Sequence, residues 1–386
     1  MDTETTPAIS PFERQIREQM FPFRGIGSDQ YHDQSLSDIR ILFGRGGNHV
    51  DIAARQTMSE NFSKALALYT SYGEEGDVTK KLYAAVKEIS PRAFAALSAE
   101  DPTDLALHLK EAQAFARLLV FNERGEPRFS WMTTQQAFYF SNVIAPLHDL
   151  FKYLGPPNAQ VMQDHELLMG HVFSDFLTKA SVEIGIDTIT GKPILSPISP
   201  EDLRMIGGVI GSHENIFREA DQKDLAEATD IADRSKRLIR QMSSLFFFVD
   251  VFTGVMEFDA KQGEMRINEQ QLEKRFGDLY ERHMNTTGKV FNPEWGFASV
   301  QKLFGTISEI AETMHIDGDR KVHLQEGWKK MIAKASLDAV INAMRSYARD
   351  PQELEMHHID QHELDARMER MIKVRKEFEH MVATLD

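Results

Sequence analysis

Apolar residues recur at three- and four-residue spacing over most of this chain, and this pattern limits its fold more than any other feature. Such spacing places the apolar side chains on one face of an α-helix, where they can pack against a neighbouring helix. The pattern therefore predicts an all-α core. Helices are expected over residues 60–72, 78–88, 101–123, 134–153, 165–181, 224–248 and 300–314.

Two short stretches depart from the helical pattern. Residues 185–197 surround Thr190-Gly191, and residues 258–267 surround Gln262-Gly263. Both combine apolar residues with a glycine turn, which predicts a short hairpin or an ordered loop for the first stretch and a hairpin for the second. Neither is long enough to build a sheet-based fold, so the expected architecture is a helical bundle with small hairpin insertions.

Proline and charge indicate how the chain is divided. Prolines and scattered glycines predict an extended arm over residues 1–34. Residues 35–250 would form the main helical domain and residues 251–386 a helical C-terminal extension. The charged stretch beyond Asp350 predicts a long amphipathic helix, which suggests a homodimer.

Composition excludes several classes of protein. The formal net charge of −15 repels polyanions, so binding to nucleic acid or to an anionic membrane is disfavoured. The chain contains no cysteine, which excludes disulfides, thiolate metal sites and thiol nucleophiles. The N-terminal residues lack the basic and apolar runs of a secretion signal, and the sequence has no stretch of about 20 apolar residues that could span a bilayer. These features predict a cytoplasmic protein without a membrane span.

The segment most informative about chemistry is Ala145-Pro-Leu-His-Asp-Leu-Phe-Lys-Tyr-Leu-Gly155. It places an imidazole and a carboxylate, His148 and Asp149, next to each other after an apolar run, with Lys152 one turn later. Imidazole and carboxylate together suit Mn, Fe, Co, Ni or Mg ions, and the two oxygens of a carboxylate can bridge two of them. Lys152 could then bind an anion held at the metal.

Downstream segments supply further ligand types. His165 opens an apolar helix, His213 ends another, and Asp233 lies among apolar residues on a third. A buried carboxylate without a cation is costly, so Asp233 is a candidate ligand. Each residue also has a structural explanation: a helix-terminal histidine for His165 and His213, and an ion pair with Arg237 for Asp233.

In the order of these residues the chain resembles the HD superfamily of metal-dependent phosphohydrolases. Leu147-His-Asp-Leu-Phe-Lys152 is similar to the family's His-Asp helix, Asp164-His-Glu-Leu-Leu-Met-Gly170 to its His-x-x-x-x-Gly segment, and Thr229-Asp-Ile-Ala-Asp-Arg234 to its closing helix. The upstream histidine of the family would be His49, in Arg45-Gly-Gly-Asn-His49, which requires a long helical insertion over about residues 72–130. The resemblance implies a first metal on His49, His148, Asp149 and Asp233, and a second on Asp149, His165 and His213.

The function that the resemblance implies is hydrolysis of a phosphate ester or anhydride, in a nucleotide or a nucleotide-derived signal, by water activated on one or two divalent ions. Lys152 would bind a phosphoryl oxygen, and Arg234 and Arg237 are further candidates for binding phosphate. Glu214 would orient His213 or transfer a proton. Two alternatives stay open: a diiron oxygenase built on the same ligands, and a degenerate scaffold that acts through protein interaction.

Overall fold

The computed structural model describes residues 52–73, 75–98, 104–122, 124–155, 165–212, 231–259, 264–287, 327–349, 351–356 and 359–383. Within these ranges the protein is mostly helical, and its only strands form two antiparallel hairpins. The prediction of an all-α fold is confirmed. None of the described helices is both long enough and apolar enough to cross a bilayer.

The helices that precede the His-Asp pair are α1 (Ile52–Ser71), α2 (Val78–Ile89), α3 (Pro91–Ser98), α4 (Asp104–Val120) and α5 (Thr134–Tyr139). Asp77 caps α2, because its side chain accepts a hydrogen bond from the backbone N–H of Lys80. The other carboxylate oxygen of Asp77 accepts the N–H of Glu183, on the first strand. One buried aspartate thus starts a helix and holds a hairpin to it.

Elements that follow the His-Asp pair belong to the same compact unit as this pair. These are α6 (His165–His171), strands β1 (Ala180–Ile186) and β2 (Pro193–Ile198), and α7 (Pro200–Ser212). Gly191, with a φ of 67°, lies in the turn between the paired strands, so the predicted hairpin at Thr190-Gly191 is confirmed. The predicted helix over 165–181 ends earlier than expected, since β1 begins at Ala180.

The remaining helices and strands lie between Ile231 and Ala383. They are α8 (Ile231–Phe252), strands β3 (Met256–Asp259) and β4 (Glu264–Ile267), α9 (Glu269–Thr287), α10 (Trp328–Tyr347), α11 (Pro351–Met356) and α12 (Gln361–Ala383). Strands β3 and β4 pair at the position of the second predicted hairpin. Helix α10 packs against both α9 and α12. The predicted helix over 300–314 and the predicted arm over 1–34 lie outside the described residues.

Candidate metal centre

The His-Asp pair lies in a segment, residues 140–155, that is not one continuous helix. A π-helical turn at Phe140–Ile144 leads to an α-helical turn at Ala145–Leu147, and a 3-10 helix covers Leu150–Leu154. Pro146 accounts for the first break, because a proline has no N–H to donate to the carbonyl four residues earlier. The single helix predicted over 134–153 is therefore wrong in its second half. π-Helical and 3-10 turns often occur at functional sites.

Side chains from helices α1, α2 and α3, and from Ser90 between α2 and α3, take the place of the missing helical hydrogen bonds. The carbonyl of Asn142, which Pro146 cannot reach, accepts the hydroxyl of Thr79 at 2.9 Å. Further along the segment the same role falls to Tyr83 on the carbonyl of Pro146, Ser90 on that of Tyr153, Asn61 on that of Leu154, and Arg92 on those of Lys152 and Gly155. Since buried carbonyls need partners, these bonds fix the irregular backbone.

The orientation of the His148 ring follows from this backbone. Its Nδ1 lies 2.8 Å from the carbonyl oxygen of Ala145. A carbonyl only accepts, so Nδ1 carries the proton and Nε2 carries the lone pair. Hydrogen bonding of one imidazole nitrogen to a carbonyl is the usual way in which a metal-ligating histidine is held. The side chain of His148 is completely buried.

His108, on helix α4, faces the same point. The Nε2 atoms of His108 and His148 are 3.2 Å apart, and that of His108 is 3.8 Å from Oδ2 of Asp149. Two nitrogens that bind one ion at about 2.1 Å each are separated by roughly 2.9–3.4 Å in octahedral or tetrahedral geometry. The spacing of the two imidazoles therefore fits a shared cation.

Asp149 is at the centre of the site, and its two oxygens face different groups. Oδ2 is 3.6 Å from Nε2 of His148 and 2.5 Å from Nζ of Lys152. Oδ1 is 2.8 Å from Nε2 of His165, at the start of helix α6. The structure thus brings together four of the residues expected from the sequence: His148, Asp149, Lys152 and His165.

The surroundings of Asp149 keep its carboxyl group ionised. Burial by itself would raise its pKa. The positive charge of Lys152 and the imidazoles of His148 and His165 outweigh burial, and the hydrogen bond from His165 adds to their effect. The pKa of Asp149 consequently lies well below its ordinary value, and the carboxyl group is an anion at neutral pH.

Within the compact unit that contains the His-Asp pair, the imidazoles of His108 and His148 and the carboxylate of Asp149 lie close enough together to hold a metal ion. Neutral imidazole and ionised carboxylate are the donors that a divalent transition metal prefers when no thiolate is present. The donor set and the fixed tautomer of His148 both fit a metal, although the sequence does not select one ion.

Other residues proposed from the sequence are not tested by this geometry. His49, His213 and Glu214 lie outside the described residues. Asp233 and Arg234 are part of the backbone of helix α8, but their side chains lie outside the description. Arg237, on the same helix, is exposed. The roles proposed for these residues therefore stay predictions.

One residue of the centre was missed in the sequence. His108 precedes His148 by forty positions and stands in Leu105-Ala-Leu-His108-Leu, a histidine within an apolar helical run. A polar, ligand-forming residue in an apolar stretch was the signal that could have found it. His108 lies within residues 72–130, for which the sequence predicts only an insertion.

The glycine of the His-x-x-x-x-Gly segment has a packing role in the structure. Gly170 on helix α6 faces Gly207 on helix α7, and a Cβ built at Gly170 would lie 2.8 Å from the carbonyl oxygen of Gly207. A Cβ at Gly207 would lie 2.6 Å from the carbonyl oxygen of Gly170. Only glycine permits so close an approach of two helices. This contact fixes helix α6, and with it His165.

Comparisons with protein-family models, with curated proteins and with solved structures find no match to this chain. No relative therefore supplies a substrate or a ligand set. A function for this chain therefore has to be inferred from the order of its motifs and from the geometry of the centre.

Proposed function

We propose that this protein is a metal-dependent phosphohydrolase of the HD type, which acts on a phosphate ester or anhydride in a small molecule such as a nucleotide or a nucleotide-derived signal. One observation carries the proposal. His108, His148 and His165 converge on the buried carboxylate of Asp149, and Lys152 contacts the same carboxylate from the following turn. The order His, His-Asp, Lys and His is the order that the resemblance requires.

His108, His148 and Asp149 would hold the metal. A divalent ion bound there supplies a water of lowered pKa and neutralises negative charge on phosphoryl oxygens. The chain contributes the fixed donors: Nδ1 of His148 is held by the carbonyl of Ala145, and Asp149 is kept ionised by its neighbours. Such preorganised ligands need not rearrange when a cation binds.

Lys152 is the residue that favours phosphate chemistry. Its ammonium group is mostly buried and lies next to Asp149. A cation that shares the carboxylate of Asp149 would leave the ammonium group available to a phosphoryl oxygen of the substrate. A positioned cation of this kind stabilises the charge that spreads over these oxygens in phosphoryl transfer.

The net charge bears on the substrate class. With a formal charge of −15, the protein repels long polyanions at a distance. A small phosphorylated molecule carries far less charge than a nucleic acid, and a local metal and lysine can offset it. The proposal is therefore limited to low-molecular-weight phosphates.

A diiron oxygenase is the second candidate, and one observation favours it. Asp149 presents Oδ2 to His108 and His148, and Oδ1 to His165, so its carboxylate could bridge two ions. Two bridged irons with histidine and carboxylate ligands suit oxygen activation as well as hydrolysis. Bound iron together with substrate-dependent oxygen consumption would favour this candidate over the hydrolase.

The test is elemental analysis followed by an activity screen. The purified protein is loaded separately with Mn²⁺, Fe²⁺, Co²⁺, Ni²⁺ and Mg²⁺, and release of phosphate from p-nitrophenyl phosphate and from a panel of nucleotides is measured. We expect bound metal and hydrolysis in the wild type, and neither in the double variant His148→Ala, Asp149→Ala. His362→Ala, which removes an exposed histidine of helix α12, is the matched control. A wild type that binds no metal under any of these conditions would disprove the proposal and leave the scaffold alternative.

A further inference from the structure

Helix α2 runs beside the segment that carries the His-Asp pair, and Tyr83 on this helix contacts it directly. The hydroxyl of Tyr83 donates a hydrogen bond of 2.7 Å to the carbonyl oxygen of Pro146. Burial raises the pKa of the Tyr83 phenol, so this group stays protonated and keeps its donor at neutral pH. Tyr83 precedes Pro146 by 63 positions, so it lies outside the sequence motif that contains the His-Asp pair.

Pro146 and Ala145 supply two consecutive carbonyls that have left the α-helical pattern. The carbonyl of Ala145 accepts Nδ1 of His148, and that of Pro146 accepts Tyr83. In a continuous α-helix these two oxygens would accept the N–H groups of Asp149 and Leu150. Instead the α-helical turn ends at Leu147, and Asp149 takes φ and ψ of −103° and 1°, outside the helical region.

We propose that Tyr83 is a positioning residue for the metal centre. Its hydrogen bond to the carbonyl of Pro146 prevents the α-helix from continuing past Leu147, so that His148 and Asp149 can face the same cation. Without the phenol hydroxyl, the carbonyl of Pro146 gains most by accepting the N–H of Leu150. The α-helix then continues through His148 and Asp149. That change takes the carbonyl of Ala145 away from Nδ1 of His148 and alters the backbone angles that direct the carboxylate of Asp149.

The proposal rests on the metal centre of the proposed function, and Tyr83→Phe tests it with little disturbance. The substitution keeps every carbon atom of the side chain and removes only the hydroxyl, so an ordinary folded domain survives it. Tyr72→Phe is the matched control, because Tyr72 is exposed and its hydroxyl donates a hydrogen bond to the exposed carboxylate of Glu88. Near-ultraviolet circular dichroism confirms the native fold of each variant.

The first measurement uses Co²⁺ alone as the probe. We expect Tyr83→Phe to weaken Co²⁺ binding by about 10- to 100-fold, the usual effect of losing a residue that orients a ligand. The visible absorption of bound Co²⁺, which reports ligand geometry, should change in the same variant. Tyr72→Phe should match the wild type in both properties. Unchanged affinity and an unchanged spectrum in Tyr83→Phe would overturn the proposal.

The second measurement needs no metal and separates this proposal from the proposed function. Long-range ¹H–¹⁵N spectra of the imidazoles should show His148 as a single Nδ1–H tautomer in the wild type and in Tyr72→Phe, and as a mixture in Tyr83→Phe. If the wild type binds no Co²⁺ but the tautomer still changes, the metal function fails while the positioning of His148 by Tyr83 stands. A pure Nδ1–H tautomer in Tyr83→Phe would contradict the positioning role.

Discussion

The imidazole of His148 is oriented by a carbonyl of its own helical turn, since Nδ1 lies 2.8 Å from the oxygen of Ala145. This relationship leaves Nε2 of His148 with its lone pair toward Nε2 of His108, 3.2 Å away. A histidine that merely filled the core would not require a second imidazole opposite its lone pair. The pair is therefore the strongest geometric sign of a cation site in the described part of the chain.

His108 should matter for metal binding as much as His148. Removal of an outer residue that only orients a ligand costs about 10- to 100-fold in affinity, so loss of a ligand should cost at least about 100-fold. We expect this loss in both His108→Ala and His148→Ala, measured by competition with a chromogenic chelator. His362→Ala, on the surface of helix α12, should bind as the wild type does. Normal binding by His108→Ala would remove this residue from the centre.

Lys152 should separate metal binding from catalysis. Lys152→Met keeps much of the side-chain volume but removes the cation near Asp149. We expect the variant to retain metal at pH 8 and to lose about 100- to 1,000-fold in kcat for phosphate release, because one electrostatic contact to the transition state is missing. Lys192→Met, on the exposed hairpin, is the control. Full activity of Lys152→Met would exclude the lysine from the reaction.

Asp149 should contribute to stability in a pH-dependent manner. Its pKa in the folded protein lies well below the ordinary value, so its favourable interactions are present above about pH 4 and are lost as the pH falls through the folded-state pKa. Without added metal, the wild type should therefore exceed Asp149→Asn in free energy of unfolding at pH 7, and this difference should shrink on acidification. Urea unfolding at several pH values measures it. Asp365→Asn, on the exposed face of helix α12, should show a smaller and flatter difference.

The contact of helices α6 and α7 should be intolerant of any side chain. In Gly207→Ala the new Cβ would lie 2.6 Å from the carbonyl oxygen of Gly170, so we expect a loss of about 1–3 kcal/mol in the free energy of unfolding. Gly277→Ala, in helix α9, meets nothing within 4 Å and should be neutral or stabilise by up to about 1 kcal/mol. Chemical denaturation of both variants makes the comparison. Equal effects would show that the helices move apart at little cost.

The sequence predicted the fold class and the His148, Asp149 and Lys152 part of the metal centre for the same reason. Helical periodicity, the glycine turn of the first hairpin and the adjacency of His148, Asp149 and Lys152 are all local patterns, legible over a few residues. His165 was also found, because it belongs to a recognisable segment ending at Gly170. The domain boundaries at residues 34 and 250 stay predictions.

The partners of these local patterns could not be read from the sequence. His108 lies close to His148 across forty positions, and the apolar run around His108 marks it as a candidate without showing which residue it faces. The break at Pro146 is similar: proline stops the helical hydrogen bonds, but only packing brings Thr79 and Tyr83 to the carbonyls left behind. By itself the sequence determined which segments are helical, and it identified His148 and Asp149 as candidate ligands of a metal ion. The tertiary structure decided which distant side chains complete the site, because ligand geometry depends on contacts between helices rather than on periodicity within one.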